Sequence, residues 1–136
     1  MRAELLRKIA DRKNSSSIRL ASMLIKDDEI SEIMRYLKLW LPKLTILDLD
    51  DNQFSDNCAL TLTEHLFNFA QLTELSLQNN NIGRKGAIAI FSLKKTHPKL
   101  DILFHGNRIH DVAEMAEIER LSLAEPSTTN FILGKR

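Results

Sequence analysis

The feature that most constrains the fold is an internal repeat with a period of 28 residues. The segments LTILDLDDNQF and LTELSLQNNNI begin at Leu44 and Leu72, and a third segment, LDILFHGNRI, begins at Leu100. Counting positions as offsets from the first Leu (offset 0), the first two segments have Leu at offsets 0, 3 and 5, Asn at offset 8 and an apolar residue at offset 10. A unit of this length cannot bury an apolar face alone, so the repeats are predicted to stack into one continuous core.

The spacing L-x-x-L-x-L-x-x-N-x-L resembles the leucine-rich-repeat family. The period and the stretch NNNIGRKGAIAIFSLKK are similar to its ribonuclease-inhibitor-like subclass. This resemblance implies an α/β solenoid shaped as a short horseshoe arc, with parallel strands on the concave face and helices on the convex face. It also implies a ligand-binding scaffold without catalytic residues.

The units at both ends depart from the pattern, as end units often do because they cap the core. A short copy is expected to begin at Leu20 and to place Asp28 at offset 8. In the last copy, counting back from Asn107 puts offset 0 on Lys99 rather than Leu100, which predicts a bulge or a slip of one residue. The chain is predicted to be one domain, made of an N-terminal helical cap, a short repeat, two full repeats, a degenerate repeat and a tail, at residues 1–19, 20–43, 44–71, 72–98, 99–123 and 124–136.

The polar residue at offset 8 is expected to lie inside the turn after each strand. There its side chain can satisfy backbone groups that the irregular path leaves unpaired. We therefore predict a structural ladder, and not a catalytic or metal-binding row, formed by Asp28, Asn52, Asn80 and Asn107.

Composition and the reactive side chains argue against several function classes. The formal net charge of +1 over 136 residues disfavours a dedicated nucleic-acid binder, and no apolar run approaches the length of a membrane span. Cys58, the only cysteine, shares its repeat position with Gly86 and is expected to be buried. His105 and His110 lack the further ligands of a metal site. We expect no catalytic residues, no cofactor and no metal.

The outward-facing strand positions indicate a binding surface. Strand side chains alternate between faces, so offsets 2, 4, 6 and 7 are expected on the concave face. These positions are rich in carboxylates with a few apolar residues, a combination that would attract a basic partner. The predicted partner-binding residues are Leu24, Ile46, Asp48, Asp50, Asp51, Glu74, Ser76, Gln78, Asp101, Leu103 and His105.

The favoured function is a non-catalytic protein-interaction module with a basic protein as its partner, and with no role for nucleic acid or membrane. The N-terminus lacks a secretory signal, which predicts a cytoplasmic protein. The Asn- and Lys-rich composition of the repeats resembles bacterial versions of this family. This resemblance implies an effector that is delivered into a host cytosol. The alternatives are a part or adaptor of a ubiquitin-ligase-type enzyme and a structural protein that self-associates through its repeat ends. The apolar residues 131–133 are expected either to fold back on the last repeat or to await a partner.

Overall fold

The computed structural model describes residues 1–124, in which four short parallel strands alternate with five helices. The strands are β1 (Ser17–Arg19), β2 (Ile46–Asp48), β3 (Glu74–Ser76) and β4 (Asp101–Leu103), and they form one sheet in the order β1-β2-β3-β4. The helices are α1 (Ala3–Ala10), α2 (Ile30–Trp40), α3 (Asp56–Leu66), α4 (Arg84–Phe91) and α5 (Val112–Ser122). None of the helices in this part of the chain is long and apolar enough to cross a membrane.

The core lies between the sheet and the helices and runs without interruption through the stack. Leu residues at offsets 3 and 5 of the two full repeats are completely buried, as are Phe54 and Ile82 at offset 10. Each helix adds an apolar stripe to the same core, for example Leu62 and Leu66 of α3 and Ile90 of α4. Strand and helix alternate in every unit, and each strand pairs with the next, so the predicted α/β solenoid is confirmed.

The predicted register of the first copy is wrong. Ile18 of β1 pairs with Leu47 of β2, which places offset 0 on Ser15 instead of Leu20. The error has a physical reason, because the first unit has Ser at offset 0 and Met23 at offset 8, so both signature residues are missing. Two short apolar pairs, Ile18-x-Leu20 and Met23-x-Ile25, then fit the strand pattern equally well.

Two predicted site residues were assigned from that register, and both assignments are therefore wrong. Leu24 is at offset 9, beyond the strand, where its side chain is 67% exposed. Asp28 lies in the 3-10 turn Asp27–Glu29 that leads into α2, so it is not part of the ladder. The N-terminal cap is also shorter than residues 1–19, because its helix ends at Ala10 and β1 already belongs to the sheet.

The backbone confirms the corrected alignment at offset 7. Ser22, Asp51, Asn79 and Gly106 all have φ in the left-handed region, at 56°, 57°, 57° and 84°. The recurring positive φ turns the chain from the strand into the following loop. At Gly106 a side chain has no room, because a Cβ atom there would collide with the carboxamide of Asn79.

The slip expected in the last copy is a shortening by one residue immediately before β4. Thr73 and Glu74 both donate a backbone hydrogen bond to the carbonyl of Thr45, at 2.8 and 3.0 Å. In the next unit Asp101 alone donates to the carbonyl of Thr73, at 2.9 Å. Leu100 remains buried, so the missing residue lies between Leu100 and Asp101. The pairing of β3 with β4 continues in register, without a bulge.

Helix α1 closes the N-terminal end of the stack. Its side chains Leu5 and Ile9 are completely buried. Arg2 just before it donates to the carboxylate of Glu29 with its Nε at 2.9 Å, and the backbone amide of Lys26 donates to the same carboxylate at 2.9 Å. Burial of Glu29 opposes its ionisation, but these hydrogen bonds outweigh burial and hold its pKa below the ordinary value. The predicted apolar segment 131–133 lies outside the described residues.

Candidate functional site

The parallel register arranges the outward-facing strand residues in rows across the sheet. At offset 2 the row is Ser17, Ile46, Glu74 and Asp101, and at offset 4 it is Arg19, Asp48, Ser76 and Leu103. Beyond the strands, offset 6 is occupied by Asp50, Gln78 and His105. These rows bring together the predicted partner-binding residues of the last three units except Asp51, which lies in the bend after β2, and Leu24 also lies outside them. The prediction that Asp48 and Ser76 are accessible on this face is wrong, because both are buried.

Asp48 is held within the sheet by two contacts. Its Oδ2 accepts from a guanidinium nitrogen of Arg19 at 3.3 Å, and its Oδ1 accepts from the backbone amide of Asp50 at 3.0 Å. The carboxylate charge of Asp48 is thus paired with a positive charge. The sequence interpretation missed Arg19 because the incorrect register of the first copy placed it in the cap.

Asp50 also has a structural role. Its Oδ1 accepts from the hydroxyl of Ser76 at 2.6 Å and from the backbone amide of Gln78 at 2.7 Å. Both donors belong to the neighbouring repeat, so Asp50 connects two units. Replacing it would leave the Gln78 amide without this acceptor, which makes Asp50 unsuitable for a variant intended to change charge alone.

The carboxylates of Glu74 and Asp101 are different. These two residues are direct partners on β3 and β4, and within residues 1–124 no ion pair or side-chain hydrogen bond engages either carboxylate. Like charges directly opposite one another on a sheet repel, so the pair weakens the sheet slightly. Ile46 and Leu103, both half-buried, lie beside them in the two rows. We call Ile46, Glu74, Asp101 and Leu103 the acidic patch.

The asparagines at offset 8 connect successive repeats. The Oδ1 atom of Asn80 accepts from the backbone amides of Asn52 and Phe54, both at 3.0 Å. Asn52 does the same for Met23 and Ile25 of the first unit, both at 3.1 Å. Asn107 continues the row: its Oδ1 atom accepts one hydrogen bond, from the backbone amide of Ile82 in the preceding unit, at 3.0 Å. These side chains point into the turns and away from the acidic patch.

A second row of side chains, which the sequence interpretation missed, supports the helix N-termini from the preceding repeat. Asp56 at offset 12 accepts from the backbone amides of Gly83 and Gly86, at 2.6 and 3.1 Å. Asp27, at the same offset, accepts from the hydroxyl and the amide of Ser55. A carboxylate at a helix N-terminus satisfies free amides and complements the helix dipole. Only the corrected register of the first copy aligns the two aspartates.

The next residue in this row is Arg84, and the row ends there because a guanidinium cannot accept an amide hydrogen bond. Arg84 forms an ion pair of 2.6 Å with Glu117 of α5 instead. The N-terminus of α5 is capped by its own Asp111, which accepts from the amide of Glu114 at 2.7 Å. The last helix is therefore attached by different contacts from those of α3 and α4.

Reactive side chains in the described part of the chain are placed for structure. Cys58 is buried, and its thiol pKa is raised first by burial and second by the neighbouring carboxylate of Asp27, which disfavours a nucleophilic thiolate. His97 is buried, with its Nε2 2.9 Å from the carbonyl oxygen of Phe69. No group of three or more His, Cys, Asp or Glu side chains among residues 1–124 could hold a metal ion.

Comparison with known proteins identifies the architecture. The family model described as Leucine Rich repeat matches residues 41–62 and 71–91. Among solved structures, "Leiomodin-1 Actin-Binding Site 2 (ABS2)" is similar with a TM-score of 0.67 and 23% sequence identity, over 87% of this chain and 70% of that one. The comparison with curated proteins gives no match. The matches and the geometry together show leucine-rich repeats stacked into an α/β solenoid.

Proposed function

We propose that this chain is a protein-interaction module that binds a basic surface of another protein through the acidic patch. The observation that supports this proposal is the pair Glu74 and Asp101, two adjacent carboxylates on the open side of the sheet with no counter-charge in the described chain. A lysine or arginine of a partner would remove the repulsion between them. Ile46 and Leu103 would supply apolar contact beside the charges, as in the core of a protein interface.

The contacts of Asp48 and Asp50 narrow the proposed surface. Both carboxylates lie in the region expected to bind, yet each is already hydrogen-bonded or ion-paired within the sheet. Apart from the exposed Asp51 in the bend after β2, the predicted carboxylates without such contacts are those of Glu74 and Asp101, on β3 and β4. Concave surfaces of repeat stacks commonly bind ligands in this way, through residues contributed by several units.

The similar solved structure suggests a first partner to test. That structure is actin-binding site 2 of leiomodin-1, so a similar fold is associated with protein binding in that molecule. Actin is therefore a defined probe for this chain, beside captured proteins from a cell lysate. A cytoplasmic location and a role as a bacterial effector are further proposals from the sequence, and they would be tested by locating the tagged full chain in cell fractions.

The experiment compares binding by the wild type with binding by Glu74→Lys/Asp101→Lys. The double change reverses both free charges of the acidic patch and replaces one pair of like charges with another at exposed ends of long side chains, so the unfolding free energy is expected to change by less than about 1 kcal/mol. Asp11→Lys/Glu64→Lys is the matched control, because it makes the same charge change at two exposed positions outside the sheet. Binding would be measured with immobilised chain against actin and against lysate proteins identified by mass spectrometry.

Loss of the captured proteins with the patch variant, and their retention with the control, would support the proposal. Equal capture by all three chains would contradict it. If the concentration dependence of sedimentation showed that the chain binds chiefly to itself, the self-associating alternative would replace a foreign partner.

A further inference from the structure

The two ends of the repeat stack are finished differently. At the N-terminal end α1 covers the core with the fully buried Leu5 and Ile9. At the other end β4 and α5 are the last elements of the described chain, and nothing within residues 1–124 lies over them. Several apolar side chains of the last unit remain only partly buried there: Ile102, Phe104, Ile109 and Met115.

These side chains line a groove between β4, the turn after it and α5. The groove has a volume of about 630 Å³. Its inner wall includes the edge-to-face ring pair Phe91 and Phe104, with centroids 5.5 Å apart. Val112 at the start of α5 is 85% exposed beside it, and the groove is also lined by the acidic side chains Asp111 and Glu119, which we call its acidic margin, and by His105 and His110. An apolar occupant that also carries positive charge complements this lining.

We propose that residues 125–136 of this same chain occupy the groove. The segment contains three consecutive apolar residues, Phe131, Ile132 and Leu133, followed closely by Lys135 and Arg136. The apolar residues would contact the rings and the aliphatic side chains of the groove. The two basic residues would lie against the acidic margin. The segment would thereby serve as the C-terminal counterpart of α1.

The chain is long enough to reach. The groove lies towards the N-terminal end of α5, and the described chain ends at Ala124, just past the C-terminal end of that helix. An 11-residue helix is about 16 Å long. Residues 125–130, when extended, span up to about 20 Å. They can therefore return along α5 and bring Phe131 to the groove.

A tethered segment also has an advantage over a second copy of the chain. A short linker gives its end an effective concentration in the millimolar range. A second copy at micromolar concentration would have to bind about a thousandfold more tightly to compete. The acidic margin selects further against a second copy in the same orientation, because two acidic margins would then face each other.

A disulfide-trapping experiment tests this directly. Val112→Cys places a thiol beside the groove and Gly134→Cys places one in the segment. The buried Cys58 does not compete for oxidation. The control pair is Leu39→Cys with Gly134→Cys, because Leu39 is 68% exposed on α2 in the opposite half of the stack. In dilute protein, the Val112 pair is expected to form the intramolecular disulfide at least about tenfold faster than the control pair.

A second change separates docking from simple proximity. Adding Phe131→Asp/Leu133→Asp to the Val112 pair should lower its rate to that of the control pair. Adding Thr128→Asp/Thr129→Asp, which introduces the same charge without removing apolar groups, should leave the rate high. Equal rates for the two cysteine pairs, or no effect of the Phe131 and Leu133 changes, would overturn the proposal. Disulfides between chains that increase with protein concentration would show a second copy in the groove and would overturn it too.

Discussion

The asparagine ladder allows a stability prediction that follows from counting acceptors, and Asn80→Ala is its sharpest case. In the wild type the backbone amides of Asn52 and Phe54 donate to Asn80 Oδ1, and the described structure contains no other acceptor for either amide. Both contacts are buried. The carbonyls that receive the Asn80 amide are less affected, because those of Leu49 and Leu77 also accept from neighbouring asparagines.

The loss of unfolding free energy caused by Asn80→Ala is therefore set by two backbone amides that lose their acceptor. Each unsatisfied buried donor costs about 1–3 kcal/mol, so the expected loss of unfolding free energy is about 2–6 kcal/mol. Asn107→Ala is the matched control. This change removes the acceptor of a single backbone amide, that of Ile82, at a partly buried site. It should therefore lower the unfolding free energy by about half as much. Urea denaturation followed by circular dichroism measures both changes. Equal losses for the two variants, or a loss below about 1 kcal/mol for Asn80→Ala, would refute the reasoning.

Two further predictions concern contacts between units. Gly86→Ala should lower the unfolding free energy by about 1–3 kcal/mol despite the better helix propensity of Ala, because the new Cβ atom would lie 2.7 Å from Asp56 Oδ1. Thermal unfolding should show a smaller loss for the control Gly83→Ala, where the atom nearest to the new Cβ is 3.3 Å away. A higher Tm for Gly86→Ala than for the wild type would contradict this packing argument. Folding lowers the pKa of Glu29, so its ionised form stabilises the folded state above its ordinary pKa of about 4.3 and this contribution is lost as pH falls through the lower folded pKa. The difference in unfolding free energy between wild type and Glu29→Gln should thus shrink from about pH 5 to pH 3, and a constant difference would exclude this linkage.

The sequence predicted the full repeats well because their signature residues have only one consistent register. Leu44 and Leu72 begin units in which every apolar offset is filled and Asn stands at offset 8. The strands, the buried leucines and the following helices then lie where the pattern requires. Even the shortening of the last copy could be predicted. Counting back from Asn107 places apolar residues at offsets 3 and 5, whereas counting forward from Leu100 does not place Asn at offset 8.

The first unit shows where pattern reasoning failed. With Ser15 at offset 0 and Met23 at offset 8, two alignments satisfied the apolar spacing, and only the pairing of backbone groups distinguishes them. This error also affected the predicted site, because the wrong alignment placed Arg19 in the N-terminal cap instead of on the concave face. Contacts between repeats, such as that of Asp56 with Gly86, depend on how closely neighbouring units approach, and no spacing within one unit specifies that distance.

The N-terminal and C-terminal halves of the concave face consequently differ in how their carboxylates are paired. On the N-terminal side the carboxylate of Asp48 is paired with Arg19, so its charge already contributes to the stack. On the C-terminal side Glu74 and Asp101 have no counter-charge in the described chain, although placing them together weakens the sheet. A weakening that the fold does not need is typical of binding sites, where the partner supplies the missing interaction. Because β4 carries Asp101 of the acidic patch and also borders the groove proposed for residues 125–136, both proposed contacts lie at the same end of the stack.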